Sequence, residues 1–103
     1  MLSPQELRHY RRHVSLPEMG MDGQQRLKAG SVLVIGAGGL GCPALQYLVA
    51  AGVGRIGICD FDSVEISNLQ RQVLFGYSQL DQPKAEAAIE RLSDLNPHVV
   101  IRP

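Results

Sequence analysis

An α/β fold built on a parallel sheet is what this chain predicts, and three observations predict it. Short apolar runs at residues 32–35, 55–60 and 99–101 read as strands. Between them lie stretches of helical period, residues 40–51 and 83–95, long enough to serve as crossovers. Where the first run meets the first crossover stands VLVIGAGGLG, residues 32–41, in which four apolar residues pass at once into a glycine-rich turn. Strand, crossover helix, strand is the order that gives a right-handed parallel unit.

The chain opens with Ser3-Pro4-Gln5-Glu6, a capping box with Pro4 at the first helical position, so a helix should begin at Pro4. Leu7, Tyr10 and Val14 give that helix a thin apolar stripe, Arg8, Arg11 and Arg12 crowd its other sides, and Pro17 stops it. Gly20 and Gly23 bracket a turn, Asp22 caps a short helix through Gln24–Lys28, and Gly30 ends it. Residues 1–30 thus form a helical segment ahead of the first strand. Val32, Leu33, Val34 and Ile35 have the unbroken apolar character of a strand buried on both faces. Leu40–Ala51 follows as a helix, with Pro43 tolerated in its first turn, Gly52 at its C-cap, and Ala44, Leu45, Leu48, Val49 and Ala51 on its apolar side. RIGICD, residues 55–60, is the second strand.

A more polar loop runs from Phe61 to Gln82, containing SNLQRQ (67–72) as one helical turn and Val73, Leu74 and Phe75 as residues that pack back. Pro83 opens a helix in which Ala85, Ala88, Ile89, Leu92 and Leu95 keep the apolar period while Glu86, Glu90, Arg91 and Asp94 face water. Asn96-Pro97 ends it, and Val99, Val100 and Ile101 make the third strand. Gly36, Gly38 and Gly41 fit G-x-G-x-x-G, with Gly39 inside it. The first permits a tight turn, the second lets backbone approach a phosphate, and the third lets the helix pack on the sheet. The architecture is therefore a Rossmann-like parallel sheet with N-terminal helices. Only its first half, about three strands, is present. Residues 31–103 would be the nucleotide-binding half of a domain. The first strand would be left as an apolar edge, which predicts a fragment or a protomer completed by a partner.

Composition narrows the function classes. Of 103 residues 45% are hydrophobic and 19% charged, and ten Lys+Arg balance ten Asp+Glu, so global charge gives no reason to expect nucleic acid or a membrane surface. No apolar run approaches the ~18 residues of a membrane span, and MLSPQELRHYRR lacks the apolar core of a signal peptide; a cytoplasmic protein is expected. Cys42 and Cys59 form no C-x-x-C pair, and His9, His13 and His98 lack metal-ligand spacing, so no metal site is read here.

The chemistry gathers around the glycine turn. Backbone N–H groups at the start of its helix make an anion site. Asp60, 24 residues after Gly36, ends the second strand, where a carboxylate can accept from ribose hydroxyls; capping of the following turn is the alternative. Asp62 either supports the site or is a surface loop residue. Arg71 can supply a cation that a triphosphate needs and a dehydrogenase does not; a solvated surface arginine is the alternative. Lys84 sits in a helix's first turn, where the dipole disfavours a cation by about 0.3 to 1 kcal/mol unless a phosphate is near; extension into water is the bland alternative. Cys42 lies at a helix start that favours the thiolate, though packing beneath the turn is the simpler reading. No G-x-x-x-x-G-K-[ST] is present, so a P-loop ATPase is excluded by motif.

GAGGLG, DFDSVEISNLQRQ and QPK, within a run that extends from RHYRRHVSLPEMG through LNPHV, resemble the adenylating superfamily of ThiF, MoeB and the ubiquitin-activating enzymes, most closely its molybdopterin-synthase adenylyltransferase branch. The resemblance implies ATP with Mg2+ and adenylation of the C-terminal glycine of a ubiquitin-like sulfur-carrier protein, with release of pyrophosphate. It implies contact with the nucleotide at Gly39, ribose binding by Asp60, a nucleotide loop of Ser67, Asn68, Leu69, Gln70 and Arg71, and phosphate contacts from Arg71 and Lys84. It also implies a homodimer in which Arg12 enters the partner's ATP site. His9 departs from relatives that carry arginine there. The resemblance further places the metal-binding aspartate, and any Zn2+ site, outside these residues, so the chain alone is expected to be incomplete as an enzyme. Two other classes remain: an NAD-binding oxidoreductase half-domain, and a non-catalytic nucleotide-binding or dimerisation module.

Overall fold

The computed structural model describes residues Met1–Pro103. In chain order the elements are α1 (Pro4–His9), α2 (Arg11–Val14), α3 (Gly20–Ala29), β1 (Ser31–Ile35), α4 (Gly41–Ala51), β2 (Arg55–Cys59), α5 (Lys84–Leu95) and β3 (Val100–Arg102), with 3-10 turns at Ile66–Asn68 and Tyr77–Gln79. The sheet is parallel in the order β1-β2-β3, Ile35 lying opposite Cys59 and Gly57 opposite Arg102. β1 is an edge, as its sequence position predicts.

Alternation along the strands decides where the core sits. Ile56 and Ile58 are fully buried and, with Val32, Val34 and Ile101, face α4 and α5, which also pack on each other. The helices contribute Leu45 and Val49 from α4 and Ala88 and Leu92 from α5. The opposite face is uncovered: Leu33 is 65% and Ile35 79% exposed, so β1 is not buried on both faces as its composition suggests. Composition records that a strand can be buried, whereas the covering layer is a property of the fold. Ala44 and Leu95 likewise turn outward from the helices that were expected to bury them, and in the loop Leu74 and Phe75 pack inward while Val73 does not.

The capping box forms: the Ser3 N–H donates to Glu6 Oε1 at 3.0 Å and the Glu6 N–H to Ser3 Oγ at 3.1 Å. The expected single helix nevertheless breaks at Tyr10, and its second piece ends at Val14, before Pro17. Tyr10 is drawn inward to 4% exposure, its hydroxyl accepting from Asn96 Nδ2 at 2.8 Å. α3 starts earlier than expected, at Gly20, so Asp22 occupies its first turn and is not its cap. Asp22 pairs with Arg26 at 3.3 Å, but both side chains are 82% exposed, which makes the pair a minor contributor.

Buried amides fasten residues 1–30 to the sheet layer. Asn96, fully buried, donates to Tyr10 Oη and to the Val49 carbonyl, both at 2.8 Å, and accepts from the His98 N–H. Gln24, also fully buried, donates to the Ala51 carbonyl at 2.8 Å and pairs with His13 Nδ1 at 3.0 Å. Gly54 passes so close to the Lys28 carbonyl that a Cβ there would collide with it. Lys28 reaches back to Glu6 Oε1 at 2.9 Å and to the Met1 carbonyl at 2.8 Å.

Removing the hub of this docking should cost more than removing one spoke. Asn96→Ala takes the partner from the Tyr10 hydroxyl and the His98 N–H and leaves the Val49 carbonyl only the Gly52 N–H, and urea unfolding should show a loss of about 2 to 4 kcal/mol, against about 1 for Tyr10→Phe. Equal costs would contradict the arrangement. Burial pushes the Glu6 carboxyl up, but the Ser3 N–H and the Lys28 ammonium outweigh it and hold the group below its ordinary 4.5. A lowered native value contributes stability that is complete above pH 4.5 and is lost as pH falls through the native value. Glu6→Gln should therefore flatten the acid limb of a stability–pH curve below that point.

Candidate nucleotide site

At the C-terminal ends of β1 and β2 the backbone closes into a small cradle. The Gly36 N–H donates to the Cys59 carbonyl at 2.7 Å, and Gly36 then turns with φ +93°, a left-handed conformation that favours glycine. Gly41 has a different reason: a Cβ there would collide with the Gly36 carbonyl oxygen, so the close approach is to the turn itself, where packing of the helix on the sheet was expected. Gly38 and Gly39 answer to neither constraint. Neither has positive φ, a Cβ on Gly39 would meet nothing within 4 Å, and one on Gly38 only Gln72 Nε2 at 3.8 Å. No contact within the chain requires those two to be glycine.

The N–H groups of Gly38, Gly39, Leu40 and Gly41 find no acceptor in the chain. Four successive free donors at the positive end of an 11-residue helix make a site for an anion. Asp60 holds this cradle in place. Its Oδ2 accepts from the Ala37 N–H and its Oδ1 from the Asp62 N–H, both at 2.7 Å, so one carboxylate ties the glycine turn to the loop after β2. Each oxygen keeps a lone pair. Capping and ribose binding, alternatives at the level of sequence, are therefore compatible.

The loop after Asp60 explains how a residue 24 positions further on joins the site. The Val64 N–H donates to the Gln82 carbonyl at 2.8 Å, the Asp81 N–H to the Val64 carbonyl at 2.9 Å, and the Lys84 N–H to the Asp62 carbonyl at 2.9 Å. Chain distance is cancelled by these bonds, and Lys84 starts α5 beside the aspartates. Its stem is buried, the residue being 6% exposed, and its ammonium has neither a hydrogen-bond acceptor nor an ion-pair partner in the chain, while its nitrogen is not sealed from solvent. A stem held in place with its charged head unpartnered leaves that head available to an anionic ligand.

Cys42 lies beneath the turn, fully buried, its Sγ donating to the Ala37 carbonyl at 3.1 Å. Burial pushes its thiol pKa up; Lys84 and the Leu74 N–H draw it back, and Asp60 raises it. The packed reading thus holds over the thiolate. Cys59 is half-buried at the end of β2.

The Ser67–Arg71 turn is held by its own groups. Asn68 Oδ1 accepts from the Glu65 N–H at 3.2 Å, and exposed Arg71 folds back onto the Ser67 carbonyl at 3.3 Å. Leu69 is half-buried, while Ser67, Gln70 and Asp62 are exposed. Arg12 is exposed on α2, which docks near the C-terminal end of α4, about 16 Å along that helix from the glycine turn. It is not among the residues gathered at the turn of its own chain. Gln72, which sequence reasoning left out of the site, lies under Gly38 and is 4% exposed. A polar side chain just before the packed Leu74 and Phe75 was the available signal.

No group of three or more His, Cys, Asp or Glu side chains is arranged to hold a metal ion. A cavity of about 700 Å3 lies over Leu33, Arg55, Gly57 and Arg102 on the uncovered sheet face, away from this chemistry. A smaller cleft of about 410 Å3 borders Asp60, Phe61 and Pro83. No helix is long and apolar enough to cross a membrane.

Fold and site together define a Rossmann-like protein whose glycine turn presents free backbone N–H groups. More narrowly, residues 10–103 match the model of the ThiF family, and the chain belongs to that family. It is 57% identical over 95 residues to the sulfur carrier protein adenylyltransferase of Thermus thermophilus, covering 92% of this chain and 35% of the relative. To the molybdopterin-synthase adenylyltransferase of Escherichia coli it is 49% identical over 102 residues, covering 99% of this chain and 41% of the relative. Among solved structures, the E. coli tRNA N6-threonylcarbamoyladenosine dehydratase TcdA in complex with AMP superposes with a TM-score of 0.91 at 26% identity, covering 99% of this chain and 41% of that one. The chain spans between 21% and 41% of the length of the curated relatives it matches.

The two kinds of glycine should separate by experiment. Gly41→Ala should destabilise the fold by about 2 kcal/mol or more through the collision with Gly36. Gly39→Ala should leave thermal unfolding within about 0.5 kcal/mol of the parent. Unfolding curves of both variants check this, and a large loss in Gly39→Ala would give that glycine a folding role.

Proposed function

We propose that this chain carries the nucleotide-binding part of an ATP-dependent adenylyltransferase that acts on the C-terminal glycine of a ubiquitin-like sulfur-carrier protein, in molybdopterin, thiamine or related sulfur transfer. The observation that carries the reading is the Lys84 ammonium, held on a buried stem without a partner in the chain, beside four free backbone donors and Asp60. The names of the relatives at 49% and 57% identity supply the substrate class. Family membership alone does not, since a structural relative at 26% identity is named a dehydratase.

In this reading residues 1–30 are a helical segment and residues 31–103 the ATP-binding half. Gly38–Gly41 hold phosphate oxygens through their N–H groups, and Asp60 accepts from the ribose with Asp62 beside it. Arg71 swings from the Ser67 carbonyl onto the phosphates, where Lys84 already waits. Ser67, Asn68, Leu69 and Gln70 form the wall that carries Arg71. An oxygen of the ionised C-terminal carboxylate attacks the α-phosphorus, and the bond from that phosphorus to its bridging oxygen breaks. The electron pair leaves on pyrophosphate, and a carboxylic–phosphoric anhydride remains. No base is needed, because the attacking group is already an anion. The contribution of Lys84 and Arg71 is to neutralise charge as it moves onto the leaving group. A homodimer would bring the partner's copy of Arg12 to the same phosphates. Mg2+ is proposed as the companion of the triphosphate, with ligands other than these residues, and no step here passes through it.

Equilibrium titration tests the nucleotide half. ATP should bind at least about 10-fold tighter than NAD, and Lys84→Ala should weaken ATP by about 10- to 100-fold while leaving adenosine unchanged. Tighter NAD binding would instead favour the oxidoreductase class. The substrate half is checked by pyrophosphate exchange in a protein containing this chain: exchange should require a carrier with a free C-terminal glycine carboxylate and vanish when that carboxylate is an amide.

A further inference from the structure

Four amide side chains are buried in this fold, and three of them are fully employed. Gln24 joins His13 to the Ala51 carbonyl, Gln79 joins the Gly76 N–H to the Ala87 carbonyl, and Asn96 joins Tyr10, Val49 and His98. Gln72 is the exception. It is 4% exposed, neither end of its carboxamide is hydrogen-bonded within the chain, and its Oε1 is the one buried side-chain oxygen or nitrogen without a partner. Its backbone is firmly placed, the N–H donating to the Asn68 carbonyl at 2.8 Å and the carbonyl accepting from the Phe75 N–H at 3.2 Å. Only the amide head is idle. An idle buried amide lowers stability, and nothing in the packing of this chain rewards it.

The position of the head points to its use. Nε2 is the one atom within 4 Å of a Cβ placed on Gly38, so the amide borders the turn whose N–H groups are free. Lys84, the other buried polar side chain with an unpartnered head, starts the helix beside the same turn. The groups gathered there are donors and a cation, which together call for an anion rich in acceptor oxygens. We propose that Gln72 is a further nucleotide-contacting residue, its side-chain NH2 donating to a phosphate oxygen held at Gly38. This inference rests on the nucleotide reading above. A polyphosphate oxygen can accept from the NH2 end, whose nitrogen, unlike Oε1, is not sealed from solvent. Gln72 adds a directed hydrogen bond without adding charge.

Two variants, Gln72→Met and Gln72→Glu, test it, with ATP and adenosine as ligands and thermal unfolding measured without either. Methionine keeps the volume and removes the idle polar head, so the unliganded protein should melt about 4 °C higher or more. The same variant should bind ATP about 10-fold more weakly and adenosine unchanged. Glutamate sets a carboxylate against the phosphate and should weaken ATP about 100-fold, again sparing adenosine. ATP binding at parental strength in both variants would overturn the inference and leave the nucleotide reading intact. A lower melting temperature in Gln72→Met, with equal loss of ATP and adenosine, would overturn it in favour of a structural role. A parent protein that binds adenosine but gains nothing from the phosphates of ATP would overturn both.

Discussion

The carboxylate of Asp60 is the interaction on which the rest of the site depends. Two backbone N–H groups, from Ala37 on the glycine turn and Asp62 on the next loop, converge on its two oxygens at 2.7 Å. Hydrogen bonds to an ionised acceptor are shorter and stronger than neutral ones, so this pair fixes two segments that the strands alone would leave free. From Asp62 the constraint passes to α5, because the Asp62 carbonyl receives the first N–H of that helix. The glycine turn, the Asp60 carboxylate and the start of α5 at Lys84 therefore share one frame. An amide at position 60 would offer one oxygen where two are used, and the frame would lose either the turn or the loop.

A second frame holds the opposite end of the molecule. Asn96, Gln24 and Tyr10 join the N-terminal helices to the ends of α4 and α5, and every buried amide there is satisfied. Fully satisfied buried networks rigidify, and partly satisfied ones do not. The two ends of α4 thus differ in kind: near its C-terminus the buried amide and hydroxyl side chains are matched within the chain, and at its N-terminus four N–H groups, one ammonium and one carboxamide are not. Binding capacity is concentrated at one end because stability is supplied by the other.

How much of this was legible in the sequence follows from what each signal measures. Local rules worked where the partner was local: the Ser3–Glu6 box, Pro43 in a first turn, Gly52 as a left-handed cap with φ 95°, and the three parallel strands. They failed where a distant residue decided. Tyr10 broke a helix because Asn96, 86 positions away, holds its hydroxyl. Leu33 and Ile35 read as core because periodicity records what a strand can bury, and no local signal says which faces are covered. In the site, the glycine spacing and Asp60 were legible, as was the oddity of a lysine in a first helical turn. Burial of Lys84 was not, since it comes from the return of the 61–82 loop. Gln72 was missed for the same reason: its meaning lies in having no partner, and absence of a partner is visible only once every neighbour is placed.

Unmatched groups are informative because the rest of the chain matches its own so completely. Had several buried amides been idle, Gln72 would indicate only loose packing, and had several lysines been buried, Lys84 would indicate only a crowded surface. Instead both exceptions adjoin the one turn whose glycines include two that no contact within the chain requires. Packing does not select Gly38 and Gly39, stability disfavours a carboxamide with a sealed, unpartnered oxygen, and the proposed ligand accounts for these features together. Donors on the backbone, a cation at one wall and a neutral donor at another define that missing partner as an anion with several oxygens. Asp60 at its side keeps a lone pair free on each oxygen, which is compatible with the hydroxyls of the proposed nucleotide.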